Sequence, residues 1–242
     1  MSRRTTTIAA ALSLLALGSP LISSCSNYLA DISNNSGVDK YEQGDYQGAI
    51  ADYTKAIEIY PQSDGAYYNR GTAKADSGDY QGAIDDYTKA IEINPEYANA
   101  FVNRGVAKDE SGDYQGAIAD YNKAIEVNPK DAIAYYNRGN SKSDLDDYQG
   151  AIADYNKALE ANPRDANAYF NRGNTKLKLK DYQGAISDFT KVIEINPKYT
   201  NAYVNRGASK YFIGDSKGAC DDWRKAADLG YERSAELLKK QC

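Results

Sequence analysis

A block reading Gly-Asp-Tyr-Gln-Gly-Ala-Ile opens at Gly44 and returns at Gly78 and Gly112, and its Tyr-Gln-Gly-Ala-Ile core returns at Tyr148 and Tyr182. The step is 34 residues each time. Asn-Arg-Gly keeps the same step at Asn69, Asn103, Asn137, Asn171 and Asn205, and a proline closes each repeat at Pro61, Pro95, Pro129, Pro163 and Pro197. A repeat of this length cannot bury its own apolar face, so stability must come from stacking neighbours into a solenoid. Length alone would suggest one or two domains; the period overrides it and gives one repeat domain after a leader.

In the repeat from Asp64 to Tyr97, residues 66–76 carry few breakers, Ser77-Gly78-Asp79 reads as a turn, and residues 80–93 run on to Asn94-Pro95. The pattern predicts helix, turn, helix, stop. Tyr80, Ala83, Ile84, Tyr87, Ala90 and Ile91 fall at steps of three and four, a stripe that must face another helix. Asp79 stands at the N-cap, a role its copies Asp45, Asp113, Asp147, Asp181 and Asp215 repeat, and Pro95 prevents continuation.

Together Tyr67, Gly71, Tyr80, Ala83, Tyr87, Ala90 and Pro95 resemble the signature of the tetratricopeptide repeat. The resemblance recurs over 64–97, 98–131, 132–165, 166–199 and 200–231. Residues 35–63 keep Gly37, Tyr46, Ala49, Tyr53, Ala56 and Pro61 as a degenerate first repeat, with Ser33 and Ser36 where later copies have an aromatic and Arg. It implies an all-α, right-handed α-solenoid of helix-turn-helix units, closed by a capping helix over 232–242.

Arg70 and Lys74 depart from that pattern, which more often has leucine and an aromatic there. Arg104, Arg138, Arg172 and Arg206 repeat the first departure. Two cations four apart on a helix repel by roughly 0.2–0.5 kcal/mol, so a compensating acid is needed. Asp86, Asp120, Asp154, Asp188 and Asp222 recur once per repeat on the second helix and are the natural partners in structural ion pairs. The other reading of the arginine row is an anion track. Asp52 is a sixth aspartate against five arginines: pairing within a repeat leaves Asp52 without one, and pairing to the next repeat leaves Asp222.

Net charge is -5, which disfavours a nucleic-acid backbone or anionic membrane surface as ligand. Histidine is absent, which removes imidazole triads and histidine-containing zinc sites. There is no glycine-rich phosphate loop and no cysteine cluster. The expectation is therefore no catalytic residue, metal site or cofactor; an enzyme using Lys and Asp alone would need a shielded pocket with perturbed acids.

Residues 1–24 lie outside the repeats. Arg3 and Arg4 precede an apolar run over 8–17, the pattern of a secretory signal and too short to span a membrane. Ile22-Ser23-Ser24-Cys25 resembles a bacterial lipobox. That resemblance implies cleavage before Cys25 and acyl chains on its thiol, with residues 25–34 as a polar spacer that could reach roughly 30 Å if extended. The protein would then be exported and lipid-anchored on the periplasmic or extracytoplasmic face of a bacterial envelope membrane. An ordinary cleaved signal with an incidental cysteine is the alternative.

Export would suit a disulfide between the two remaining cysteines. Cys220 shares the register of Ile50, Ile84, Ile118, Ile152 and Ile186, and Cys242 ends the stripe Tyr231, Ala235, Leu238, Cys242 of the last helix. A turn at Gly230-Tyr231 would bring Cys220 and Cys242 level, and the bond would contribute roughly 3 kcal/mol. Two free buried cysteines are the other possibility.

Positions that vary between repeats on an exposed face are free to read a partner, and the first helix carries that variation. The family resemblance implies that this helix lines a concave groove. The row Asn69, Asn103, Asn137, Asn171, Asn205 is expected along it as a ladder for an extended peptide, because an amide donates and accepts at once; alternatively each Asn bonds a neighbouring helix. Beside the row stand Tyr68, Tyr136 and Phe170, and Asp76, Glu110, Asp144 and Lys178, acidic early and basic or aromatic late. The function expected is a non-catalytic scaffold of the bacterial envelope that holds an extended peptide or partner subunit. A scaffold for cell-wall glycan or a synthase is the alternative, and a cytoplasmic adaptor follows if the leader is no signal.

Overall fold

A computed structural model describes residues 20–242. The leader over 1–19 and the side chain of Cys25 lie outside the described residues. Those described form thirteen helices and no strand: α1 (Pro20–Glu42), α2 (Tyr46–Ile59), α3 (Asp64–Asp76), α4 (Tyr80–Ile93), α5 (Ala98–Glu110), α6 (Tyr114–Val127), α7 (Ala132–Asp144), α8 (Tyr148–Ala161), α9 (Ala166–Lys178), α10 (Tyr182–Ile195), α11 (Thr200–Phe212), α12 (Ser216–Asp228) and α13 (Arg233–Gln241). The helices divide into two compact halves between Ala100 and Phe101, within α5. In both halves, helix-turn-helix pairs follow one another in sequence order.

Each second helix starts where its aspartate caps it. Asp45, Asp79, Asp113, Asp147, Asp181 and Asp215 accept from the backbone N–H three residues on, at 2.9–3.0 Å. Ser63, Asp131 and Asp165 do the same for first helices. Inside each pair, small residues let the helices approach: Ala83 and Ala90 are fully buried, and Tyr87 lies beside Gly71. A Cβ on Gly139 would come within 2.8 Å of the Tyr155 ring, which is why the repeat has glycine there.

The charged departures form one network per repeat. Arg70 donates to both oxygens of Asp86 at 2.8 and 2.6 Å, and Lys74 lies 2.8 Å from the same carboxylate, which is 3% exposed. Arg104–Asp120, Arg138–Asp154, Arg172–Asp188 and Arg206–Asp222 repeat the pair, always within the repeat. The arginine's remaining nitrogen reaches back to the preceding repeat. Arg70 meets Thr54 at 3.1 Å, Arg138 meets Asn122 and Arg172 meets Asn156 at 2.5 Å, and Arg206 meets Thr190 at 3.1 Å. Each guanidinium also lies over the aromatic ring three residues before it, at 5.3–5.6 Å. All three nitrogens of the guanidinium are used here as a bolt between stacked helices.

The first repeat differs from its sequence expectation. Its first helix is lengthened, since residues 20–42 are one helix that takes in 26–34, and it keeps Ser33 and Ser36 where later copies have an aromatic and Arg. Asp52, which has no arginine, accepts instead from Ser36 at 2.7 Å, Lys40 at 2.5 Å and Lys55 at 2.8 Å. Among the described residues no helix is long and apolar enough to cross a membrane.

At the other end α13 packs on α12, and Cys220 and Cys242 are joined by a disulfide with their Cα atoms 5.9 Å apart. Cys220 is only half-buried, as are Ile50, Ile84, Ile118, Ile152 and Ile186 in its register, which the stripe alone placed in the core.

Candidate binding face

In the C-terminal half the first helices present two adjoining clefts. One, of about 410 Å³, is lined by Val106, Asp109, Glu110, Tyr121, Asn137 and Asp144 among others. The second, of about 380 Å³, is lined by residues including Asn140, Asp144, Tyr155, Asn171, Asn174 and Lys178. Asn140 and Asp144 belong to both. The N-terminal half carries an apolar cleft of about 310 Å³ with Val38, Tyr41, Tyr53, Tyr68 and Asn69 on its walls.

In the first four repeats a tyrosine of the second helix runs past the glycine of the first, and Phe189 and Trp223 take its place in the last two. Tyr87 donates to Thr72 at 3.1 Å, Tyr121 to Asp109 at 2.7 Å and Tyr155 to Asn140 at 2.8 Å. Asp109 holds a register occupied elsewhere by Ala75, Ser143, Leu177 and Tyr211. Ser141 of the next repeat donates to both its oxygens at 2.9 Å. Burial pushes the Asp109 carboxyl above the usual aspartate range; the bonds from Tyr121 and Ser141 oppose this, while Asp144 and Glu110 add to it. Burial and the carboxylate together hold the Tyr121 hydroxyl well above an ordinary phenol.

The asparagine row turns sideways. Asn69 donates to Asn34 at 3.1 Å, Asn171 to Asn140 at 2.9 Å and to the Tyr136 hydroxyl at 3.0 Å, and Asn205 to Asn174 at 2.8 Å. These amides brace successive first helices; Asn103 is also engaged, Asn137 lines the larger cleft and Asn171 the other. The oxygen of Asn140 accepts from both Tyr155 and Asn171, so what it offers the cleft is its NH₂ group, while Asn174 keeps its NH₂ group and one acceptor site beside the bond from Asn205.

Three expected groove aromatics are likewise half-buried between helices. Tyr68 stacks on Tyr97 at 4.9 Å, Phe170 lies 5.0 Å from Tyr199 and 5.7 Å from Phe189, and Tyr136 lies 6.1 Å from Tyr155. Asp76 accepts from the Tyr41 hydroxyl. Glu110, Asp144 and Lys178 are exposed on the cleft walls. Asp109, Tyr121 and Tyr155 are contributors that sequence reasoning missed. For Asp109 a signal existed, since it is the single acid in its register.

Family models agree with this architecture. The model described as TPR repeat matches residues 37–76 and 110–145, and two described as tetratricopeptide repeat match 65–97, 132–165 and 166–199, and 86–119. The chain belongs to the tetratricopeptide repeat family.

Solved structures with the same fold include pilF of Pseudomonas aeruginosa, 16% identical with a TM-score of 0.75 over 90% of this chain and 99% of that one. YrrB, titled a TPR protein with an unusual peptide-binding site, is 24% identical with a TM-score of 0.67 over 78% of this chain and 97% of its own. MamA is 26% identical with a TM-score of 0.64 over 68% and 96%. A comparison with curated proteins gives no match.

Proposed function

We propose that this protein is a non-catalytic scaffold that holds an extended segment of a partner protein on the cleft face of its first helices. One observation carries the reading. In the C-terminal half, adjoining clefts offer carboxylates from Asp109, Glu110 and Asp144 on one side, and amide NH₂ groups and the Lys178 ammonium on the other. Such a surface favours a segment with a cationic side chain followed by an acceptor-rich or acidic one. The peptide-binding site named for YrrB supports the reading by likeness of fold. We further propose that the chain is exported and anchored by acyl chains on Cys25 to a bacterial envelope membrane, a reading supported by the lipobox-like Ile22-Ser23-Ser24-Cys25 and compatible with the Cys220–Cys242 bond.

Photo-crosslinking in the native host tests the first reading. A photoreactive residue at Asn174 should give one dominant protein adduct, and one at Lys157 on a second helix should not. Equal yields at both positions, or none at Asn174, would reject the cleft as the binding face. Intact mass of the detergent-extracted protein tests the second, since a chain that retains Met1 and carries no lipid would end the anchoring proposal.

A further inference from the structure

The turns between first and second helices start from one design. Ser77-Gly78 and Ser111-Gly112 are polar, with glycine at φ 88° and 83°, a region it enters without steric cost. In the next two repeats the same positions read Leu145-Asp146 and Leu179-Lys180, yet the backbone keeps φ at 61° and 60°. An L-residue is disfavoured there. Each of these turns also sets an apolar side chain in water: Leu145 and Leu179 are 38% exposed and Ile213, in the same register, is 48% exposed. Folding alone favours the Ser-Gly turn that this chain uses elsewhere, so the departures answer another demand.

The flanking charges say which. Asp144-Leu145-Asp146 is an acidic turn and Lys178-Leu179-Lys180 a basic one; they belong to consecutive repeats, and all six residues are exposed. Among the described residues none of the four charges forms an ion pair; Asp146 accepts from the Tyr148 hydroxyl. An acidic and a basic turn side by side, each centred on leucine, form an edge complementary to itself. Turned about a two-fold axis between them, the acidic turn of one copy meets the basic turn of the other and four leucines come together, the condition for an isologous contact. Phe212 and Ile213, also exposed, then lie over the second copy's Ser111-Gly112 turn. We propose that this turn edge docks a second copy of the chain as a two-fold dimer. The turns share Asp144 and Lys178 with the cleft walls, whereas Asp146 and Lys180 line neither cleft and so separate this contact from the cleft reading.

So narrow a patch lies at the small end of interface sizes and makes a weak dimer. Sedimentation equilibrium of the purified chain should show a reversible monomer–dimer equilibrium that weakens as salt is added. Asp146→Lys alone and Lys180→Asp alone should each weaken self-association about tenfold or more, because like charges then face each other twice. Each substitution introduces a residue type that the other turn already holds in this backbone conformation. Mixing the two variants should restore dimers at the parental strength. Replacing Leu145-Asp146 and Leu179-Lys180 by Ser-Gly should give a chain that is folded by circular dichroism, no less stable, and monomeric. A parent monomeric throughout at low salt, a dimer indifferent to Asp146→Lys, or variants that fail to complement would each overturn the proposal.

Discussion

The Tyr121 hydroxyl donates to the Asp109 carboxylate at 2.7 Å in a half-buried site that Ser141 of the next repeat completes. Burial raises the pKa of Asp109 above the value of about 3.9 of an unfolded aspartate. A raised carboxyl contributes stability fully present below the unfolded value and lost as pH rises through the folded one. Asp109→Asn keeps an acceptor without the charge. It should be at least as stable as the parent at neutral pH in urea unfolding, while a cationic peptide loses about tenfold in affinity, roughly 1.4 kcal/mol. A neutral-pH loss of stability would mean that the fold itself needs this carboxylate.

Asp154 is 3% exposed and lies against Arg138 and Lys142. Asp154→Ala strands two partly buried cations and should cost about 3 kcal/mol, the low end for a broken buried pair because both cations keep some exposure. Replacing all three by Leu, Leu and Ala should recover most of that loss in chemical denaturation. A triple variant no better than the single one would assign the loss to shape rather than to charge.

Gly139 and Gly65 separate close packing from chain entropy. Gly139→Ala drives a Cβ into Tyr155 and should destabilise by about 1–3 kcal/mol. Around Gly65 an added Cβ meets nothing within 4 Å, so Gly65→Ala should stabilise by about 0.5 kcal/mol. Thermal melts of the two variants should move in opposite directions.

Alkaline pH should unfold the protein through its tyrosines. Burial, with smaller contributions from Tyr68 and Asp64, pushes Tyr97 up to about 12, and burial takes Tyr121 and Tyr155 further. Their contribution is fully present below the unfolded value of about 10 and is lost as pH rises through 12 and beyond. Phenolate absorbance should show a fraction of tyrosines that ionise only as the helical signal is lost. Complete ionisation in intact helices would contradict this.

The acid limb has a local origin at Asp52, whose pKa is held well below the aspartate range by its bonds from Lys40, then Lys55 and Ser36, against the opposing effect of burial. A depressed carboxyl gives stability that is present above about 3.9 and lost as pH falls through the folded value. Lys40→Met should raise the pH of the acid unfolding midpoint. An unchanged midpoint would move the acid sensitivity elsewhere.

The period and the stop signals carried most of the fold. Residues 66–76 and 80–93 were legible as helices and are found as Asp64–Asp76 and Tyr80–Ile93, because caps and prolines are local chemistry. The count of six aspartates against five arginines posed a question that the structure answers with pairing inside the repeat. The direction of side chains between stacked helices was not legible. Asn171 could face a ligand or Asn140, and only the offset between repeats decides; the 34-residue step does not contain it. The same offset lets Ser141 reach Asp109, and it puts Tyr68 on Tyr97 rather than in open solvent.

Each arginine bolt has a plug and a socket. Arg138, Arg172 and Arg206 hold the aspartate of their own repeat and insert one nitrogen at an Asn or Thr of the repeat before, always at the same register. Removing or duplicating a whole 34-residue segment in this half leaves every plug a socket, whereas a change of any other length does not. Array length is thus a quantity that can change by whole 34-residue segments while the bolts of this half stay matched.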